Sequence, residues 1–107
     1  MKHLLNFVLM ALVLGSWQSA FSQTPERVVD IPTRSNVTQR FLFSTPEKPK
    51  AALILFAGGD GGLELSQDGS IGSLSKNFLV RSRQLFIDRG LSVAVVDAPS
   101  DRQKRRL

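Results

Sequence analysis

The sequence predicts an α/β fold: a partial doubly wound sheet of about four strands, with an N-terminal antiparallel hairpin and one crossover helix. Three observations predict it. Two runs, "AALILFA" at 51–57 and "LSVAVVD" at 91–97, are apolar without alternation, as in parallel, central strands covered on both faces. The 33 residues between them are enough for a crossover and carry a helical apolar period. Upstream, two short segments rich in β-branched and aromatic residues flank a turn-like stretch.

In chain order, residues 1–22 read as a signal peptide. Lys2 and His3 supply a positive start, 4–15 an apolar stretch, and Ala20-Phe21-Ser22 a small-x-small cleavage site before Gln23. The apolar stretch is 12 residues long and holds Asn6, short of the roughly 20 apolar residues that span a bilayer. Export to the periplasm or beyond the cell is therefore expected, with no stable membrane span.

Residues 23–101 form the expected domain. "RVVDI" at 27–31 and "VTQRFLFS" at 37–44, separated by "PTRSN", predict the hairpin. Asn36-Val37-Thr38 matches a glycosylation acceptor, which matters only in a cell that glycosylates secreted chains. The two prolines of "TPEKPK" at 45–50 mark a loop. Downstream, Phe78, Leu79, Ser82, Leu85 and Phe86 fall on one helical stripe, with Asn77, Arg81, Gln84 and Asp88 opposite. Ser73 or Ser75 is placed to cap that helix, and Gly90 to end it in a left-handed conformation. The stretch 62–75 reads as a polar, glycine-containing excursion over the end of the sheet, where open α/β folds carry binding loops.

Charge excludes one function class. The formal net charge is +5, but within 23–101 nine basic side chains offset nine acidic ones. The excess sits in a 102–107 tail containing Arg102, Lys104, Arg105 and Arg106. Without aromatic interleaving or a basic helix face, that tail reads as solvated and predicts no nucleic-acid partner, although it can attract anionic surfaces. With no cysteine in the chain, disulfides, lipid attachment through a thiol and thiolate metal sites are excluded.

The glycine cluster "GGDGG" at 58–62 is the candidate site. It lacks the lysine and hydroxyl of a P-loop, because Gly62-Leu63-Glu64 stands where they belong. Glu64 also occupies the third glycine of a dinucleotide fingerprint, and Leu63 the aspartate of a calcium-binding nonapeptide. A plain reading remains: the glycines turn the chain after a strand, with Asp60 hydrogen-bonding its own backbone.

Taken with its surroundings, the order of hairpin, "TPEKPKAALILF", glycine turn, helix and "VVDAPSDR" resembles the N-terminal part of α/β-hydrolases, particularly exported, dienelactone-hydrolase-like members. The resemblance covers nearly all of 26–103. It implies a strand order of 1-2-4-3 and an oxyanion loop after the third strand, with Gly58, Gly59 and Asp60 as backbone candidates and Gly59 or Asp60 as the donor. Glycine suits that role, since a backbone donor comes within ~2.7–3.1 Å of a developing charge only if no side chain intervenes. Ala57 stands where the family usually has histidine. A small acyl or ester ligand at the turn is what the resemblance implies.

The catalytic groups of that family are missing. No G-x-S-x-G elbow occurs; Gly69-Ser70-Ile71-Gly72-Ser73 comes nearest, with Ile71 at its centre. The only histidine is His3, so the ordinary serine or cysteine hydrolase mechanism cannot run on this chain alone. Asp60, Asp97 and Asp101 could in principle pair for acid–base work or bind a metal, but carboxylates at strand ends are commonly solvated or capping groups. The expectation is an α/β-hydrolase relative ending before its nucleophile elbow, without catalytic residues, metal or cofactor. Alternatives are a small secreted interaction module using 58–75, or a surface-associating protein using its basic tail. The implied order also leaves the run from Ala51 through Ala57 as an apolar edge open to self-association.

Overall fold

The computed structural model describes residues 24–103; the signal peptide expected at 1–22 and residues 104–107 of the basic tail lie outside the described residues. Five elements follow in order: β1 (Arg27–Arg34), β2 (Val37–Ser44), β3 (Ala51–Phe56), α1 (Phe78–Asp88) and β4 (Leu91–Val96). They build a four-stranded mixed sheet in the order β1-β2-β4-β3, which is the expected order. β2 pairs antiparallel with both β1 and β4, and β3 pairs parallel with β4.

The hairpin turns at Ser35-Asn36, with Asn36 at φ 58, a conformation asparagine tolerates better than most residues. β1 runs on to Arg34, three residues past the expected end at Ile31. Pro32 is accepted because β1 is an edge strand and the register shifts between Pro32 and Arg34, so the missing N–H falls at an irregularity.

β3 and β4 were expected to be covered on both faces, but only one face is. Leu55, Val93 and Val95 point into the core with Leu42 of β2. On the other face Ile31, Ile54 and Phe56 are 47%, 64% and 66% exposed. A single crossover helix can cover one side of a sheet only, and among the described residues β3 has no strand beyond it.

Of the expected α1 stripe, Leu79, Ser82 and Phe86 lie on the core side, with Ser82 buried, but Phe78 and Leu85 do not. Asn77 caps the helix, accepting from Leu79 N at 3.0 Å and Val80 N at 3.5 Å, in place of Ser73 or Ser75. Asn77 N also bonds Leu74 O at 2.9 Å, so a turn over 74–77 keeps both serines ahead of the cap. Val80 and Ile87 are buried, Leu79 and Phe86 pack beside them, and Phe78 and Leu85 are 64% and 56% exposed. A helix presents i, i+1, i+7 and i+8 on one face; the apolar stripe is therefore 79, 80, 86 and 87. Arg83 lies within that stripe and escapes it by reaching Glu26 at 2.7 Å. Gly90, at φ 88, stops the helix as expected.

The stretch 62–75 is not a polar excursion. Leu63 is fully buried and Leu65 nearly so, and a bridge between Leu65 and Ile71 folds the segment back on itself. Ser66 N donates to Ser70 O at 2.9 Å and Ser73 N to Leu63 O at 2.9 Å. Glu64 between the two leucines sits at φ 50, so the backbone there is not extended, and both leucines are held on the core side by the Asp97 carboxylate that accepts from their amides. The core thus lies between the sheet, α1 and this loop.

Candidate functional site

The candidate site forms where β3 and β4 end side by side, Phe56 being paired with Val96. The chain leaves β3 through Ala57, which is buried, into Gly58, Gly59 and Asp60, all exposed. Gly59 and Gly61 sit at φ 71 and 72, the left-handed region that side chains disfavour, so this reversal needs glycine at both. Asp60 Oδ1 accepts from Gly62 N at 3.1 Å, the local turn bond that aspartate is suited to make.

From β4 comes Asp97, only 2% exposed. Its Oδ1 accepts from Leu63 N and Ala98 N, both at 2.7 Å, and its Oδ2 from Leu65 N at 2.9 Å and Gln103 Nε2 at 3.4 Å. A buried carboxylate requires such donors. Two of them, Leu63 N and Leu65 N, are backbone amides of the loop that follows the glycine turn.

β2 supplies two further supports. The Arg40 guanidinium donates to Leu65 O at 3.0 Å and to both oxygens of Asp30 at 2.8 Å. That fork raises the Arg40 pKa and holds the Asp30 carboxyl below its usual value, the hydrogen bond between them being the main cause of each shift. Gln39 Nε2 donates to Asp97 O at 2.5 Å and Arg40 O at 3.2 Å. Beyond β4 the chain continues along β2, with Asp97 N on Arg40 O and Ser100 N on Thr38 O, both at 3.0 Å.

Between the glycine turn and this continuation opens a cleft of about 540 Å³, lined in part by Phe56, Asp60, Gly61, Val96 and Arg102. Of the three oxyanion-loop candidates, Asp60 lines it, while Gly58 and Gly59 are not among its walls. A smaller hollow of about 40 Å³ brings Asp60, Glu64 and Asp97 around Arg102 and Gln103.

The three candidate aspartates do different work. Asp60 and Asp97 share the small hollow, but Asp97 is engaged by backbone amides and Asp101 forms an ion pair with Arg34. Among the described residues, no group of three histidine, cysteine, aspartate or glutamate side chains could hold a metal ion. Nor is any helix among them long and apolar enough to cross a membrane.

Arg40 and Gln39 are not singled out by sequence, although Arg40 interrupts an apolar strand ten residues from Asp30. A regular two-residue hairpin would set Asp30 opposite Phe41; the register shift between Pro32 and Arg34 brings Arg40 directly across from it instead. No family model, no curated protein and no solved structure matches the chain. What the fold defines is a small α/β unit, a four-stranded mixed sheet with one helix.

Proposed function

We propose that this is an exported α/β-hydrolase-type unit that binds a small acyl or ester ligand at its glycine turn without turning it over. One observation carries the reading: the turn at the end of β3 borders an open cleft of about 540 Å³ whose walls include Asp60, Gly61 and Arg102. Pockets that take small molecules have this size and place a few polar groups in apolar walls. The strand order β1-β2-β4-β3 and the resemblance of 26–103 to exported hydrolases support the same reading. Turnover is not part of it, because the sequence has no cysteine and His3 is its only histidine.

Amide-resolved NMR titration of the purified chain with butyrate tests this. Shifts should concentrate in the 58–61 turn, most at the cleft-lining Asp60 and Gly61, and Gly59→Val should remove them, since a β-branched residue is strained at φ 71. Hydrolysis of an activated acetate should not exceed the buffer rate. Butyrate shifts spread evenly over the surface, or turnover abolished by replacing one side chain, would refute the proposal.

A further inference from the structure

The cleft at the glycine turn does not end at the rim of the sheet. Gln39, Phe56 and Val96 line it and also line a second, shallower hollow of about 380 Å³ on the uncovered sheet face. Ile31, Phe41, Ile54 and Ala94 complete that hollow. Register explains the grouping. Phe41 lies opposite Val96, Ile54 beside Ala94 and Phe56 beside Val96, and alternate residues of a strand share a face. Gln39 is the only polar wall, and its side-chain nitrogen is engaged by the Asp97 and Arg40 carbonyls. One continuous surface therefore runs from a polar end, with Asp60, Gly61 and Arg102, to a wholly apolar end.

We propose that this surface binds a medium-chain acyl compound, its carboxylate or ester head at the glycine turn and its hydrocarbon tail across the open sheet face. The proposal rests on the acyl-binding reading of the turn and extends it to the class of ligand. Four strands span three inter-strand spacings, or ~14 Å. With carbon–carbon bonds of ~1.5 Å, that is the reach of an extended tail of roughly ten carbons. A second copy of the chain fits the face less well. Its three most exposed side chains, Ile31, Ile54 and Phe56, offer roughly 350 Å² together if a large apolar residue is taken at about 200 Å². A stable interface needs ~800 Å² per partner.

The test is an NMR titration of the full chain with butyrate, octanoate and decanoate, each below its micelle concentration, paired with sedimentation velocity. Affinity is expected to rise about two- to fourfold per added methylene, the lower figure applying where the tail stays half exposed. All three ligands should shift the amides of 58–61, and only the longer two those of Phe41, Ile54 and Ala94, which line the sheet-face hollow but not the cleft. Ile54→Asp and Ile31→Asp alter exposed side chains and should each remove the chain-length gain while leaving the butyrate shifts in place. Equal affinity for butyrate and decanoate, with the turn shifts retained, overturns the tail site and leaves the turn reading standing. Decanoate shifts on the sheet face with none at 58–61 overturn both. A dimer that decanoate does not dissociate overturns the proposal in favour of a second copy on that face.

Discussion

The carboxylate of Asp97 and the backbone of Leu63, 34 residues apart in the chain, meet at 2.7 Å. That bond, with its companion from Leu65 N at 2.9 Å, joins the end of β4 to the loop that closes the core. The loop is drawn onto the sheet twice, by leucine burial and by this carboxylate. Removing the acceptor strands amides inside the protein, at about 1–3 kcal/mol for each donor left unsatisfied. Asp97→Ala is therefore expected to lower unfolding free energy by roughly 3 kcal/mol, read as a lower urea midpoint. Asp97→Asn, which keeps one acceptor oxygen, should cost about half as much. Hydrogen exchange discriminates further: the amides of Leu63 and Leu65 should lose protection first, and unchanged protection there would contradict the clamp.

Leu63 itself supplies the second prediction. It has no solvent exposure and belongs to the cluster with Leu42, Val80 and Val95. Leu63→Ala should cost about 2–5 kcal/mol, the range for leucine truncation in a packed core. Gln67, in the same loop, is exposed, and Gln67→Ala should change stability by less than about 0.5 kcal/mol. Comparable losses at both positions would mean that the loop does not close the core.

The fold was more legible in the sequence than the site. The parallel β3–β4 pair and the stop at Gly90 follow from patterns that act locally, namely apolar runs, a helical period and a glycine in a left-handed turn, whereas the strand order was expected only from the family resemblance. Pattern failed where the partner is distant. Leu63 and Leu65 look like loop residues because two alternating leucines are too short a run to announce a strand, and the carboxylate that orders them comes from the end of β4. The helix stripe was misjudged by including Phe78 and Leu85. An arginine at 81 beside Phe78, its guanidinium 5.9 Å from the ring centroid, allows that aromatic residue to stay outside. Gly58, Gly59 and Asp60 were visible from composition alone, but their relation to a cleft depends on where the chain goes after Asp97.

The Asp30–Arg40 fork gives a pH prediction. Asp30 is held below its ordinary pKa of 3.8 chiefly by the hydrogen bond from Arg40. A carboxyl depressed in the folded state adds stability that is fully present above its unfolded pKa and lost as pH falls through the folded one. The Asp30 side chain is 40% exposed, so solvent screening limits the contribution to about 0.5 kcal/mol. Asp30→Asn should accordingly be less stable than the parent chain at pH 6, and the gap should close as pH drops below 4. A gap that widens toward acid would exclude this linkage.

The last prediction concerns the cap of α1, Asn77 against Ser73 or Ser75, and separately the face that the helix buries. Asn77 Oδ1 accepts from the amides of Leu79 and Val80, two of the first-turn donors that a helix cannot satisfy internally. Replacing a capping asparagine by alanine costs typically ~1 kcal/mol, so Asn77→Ala should lower the thermal midpoint by several degrees for a domain of this size. Ser73→Ala and Ser75→Ala should leave it within about one degree, because neither hydroxyl caps the helix. The register makes the companion claim that Val80 and Ile87 face inward while Leu85 faces out. Ile87→Ala is expected to cost about 2–5 kcal/mol, and Leu85→Lys less than about 0.5 kcal/mol, since a long cationic chain keeps its head in water. If Leu85→Lys unfolds the chain while Ile87→Ala is tolerated, the helix is rotated toward Phe78 and Leu85.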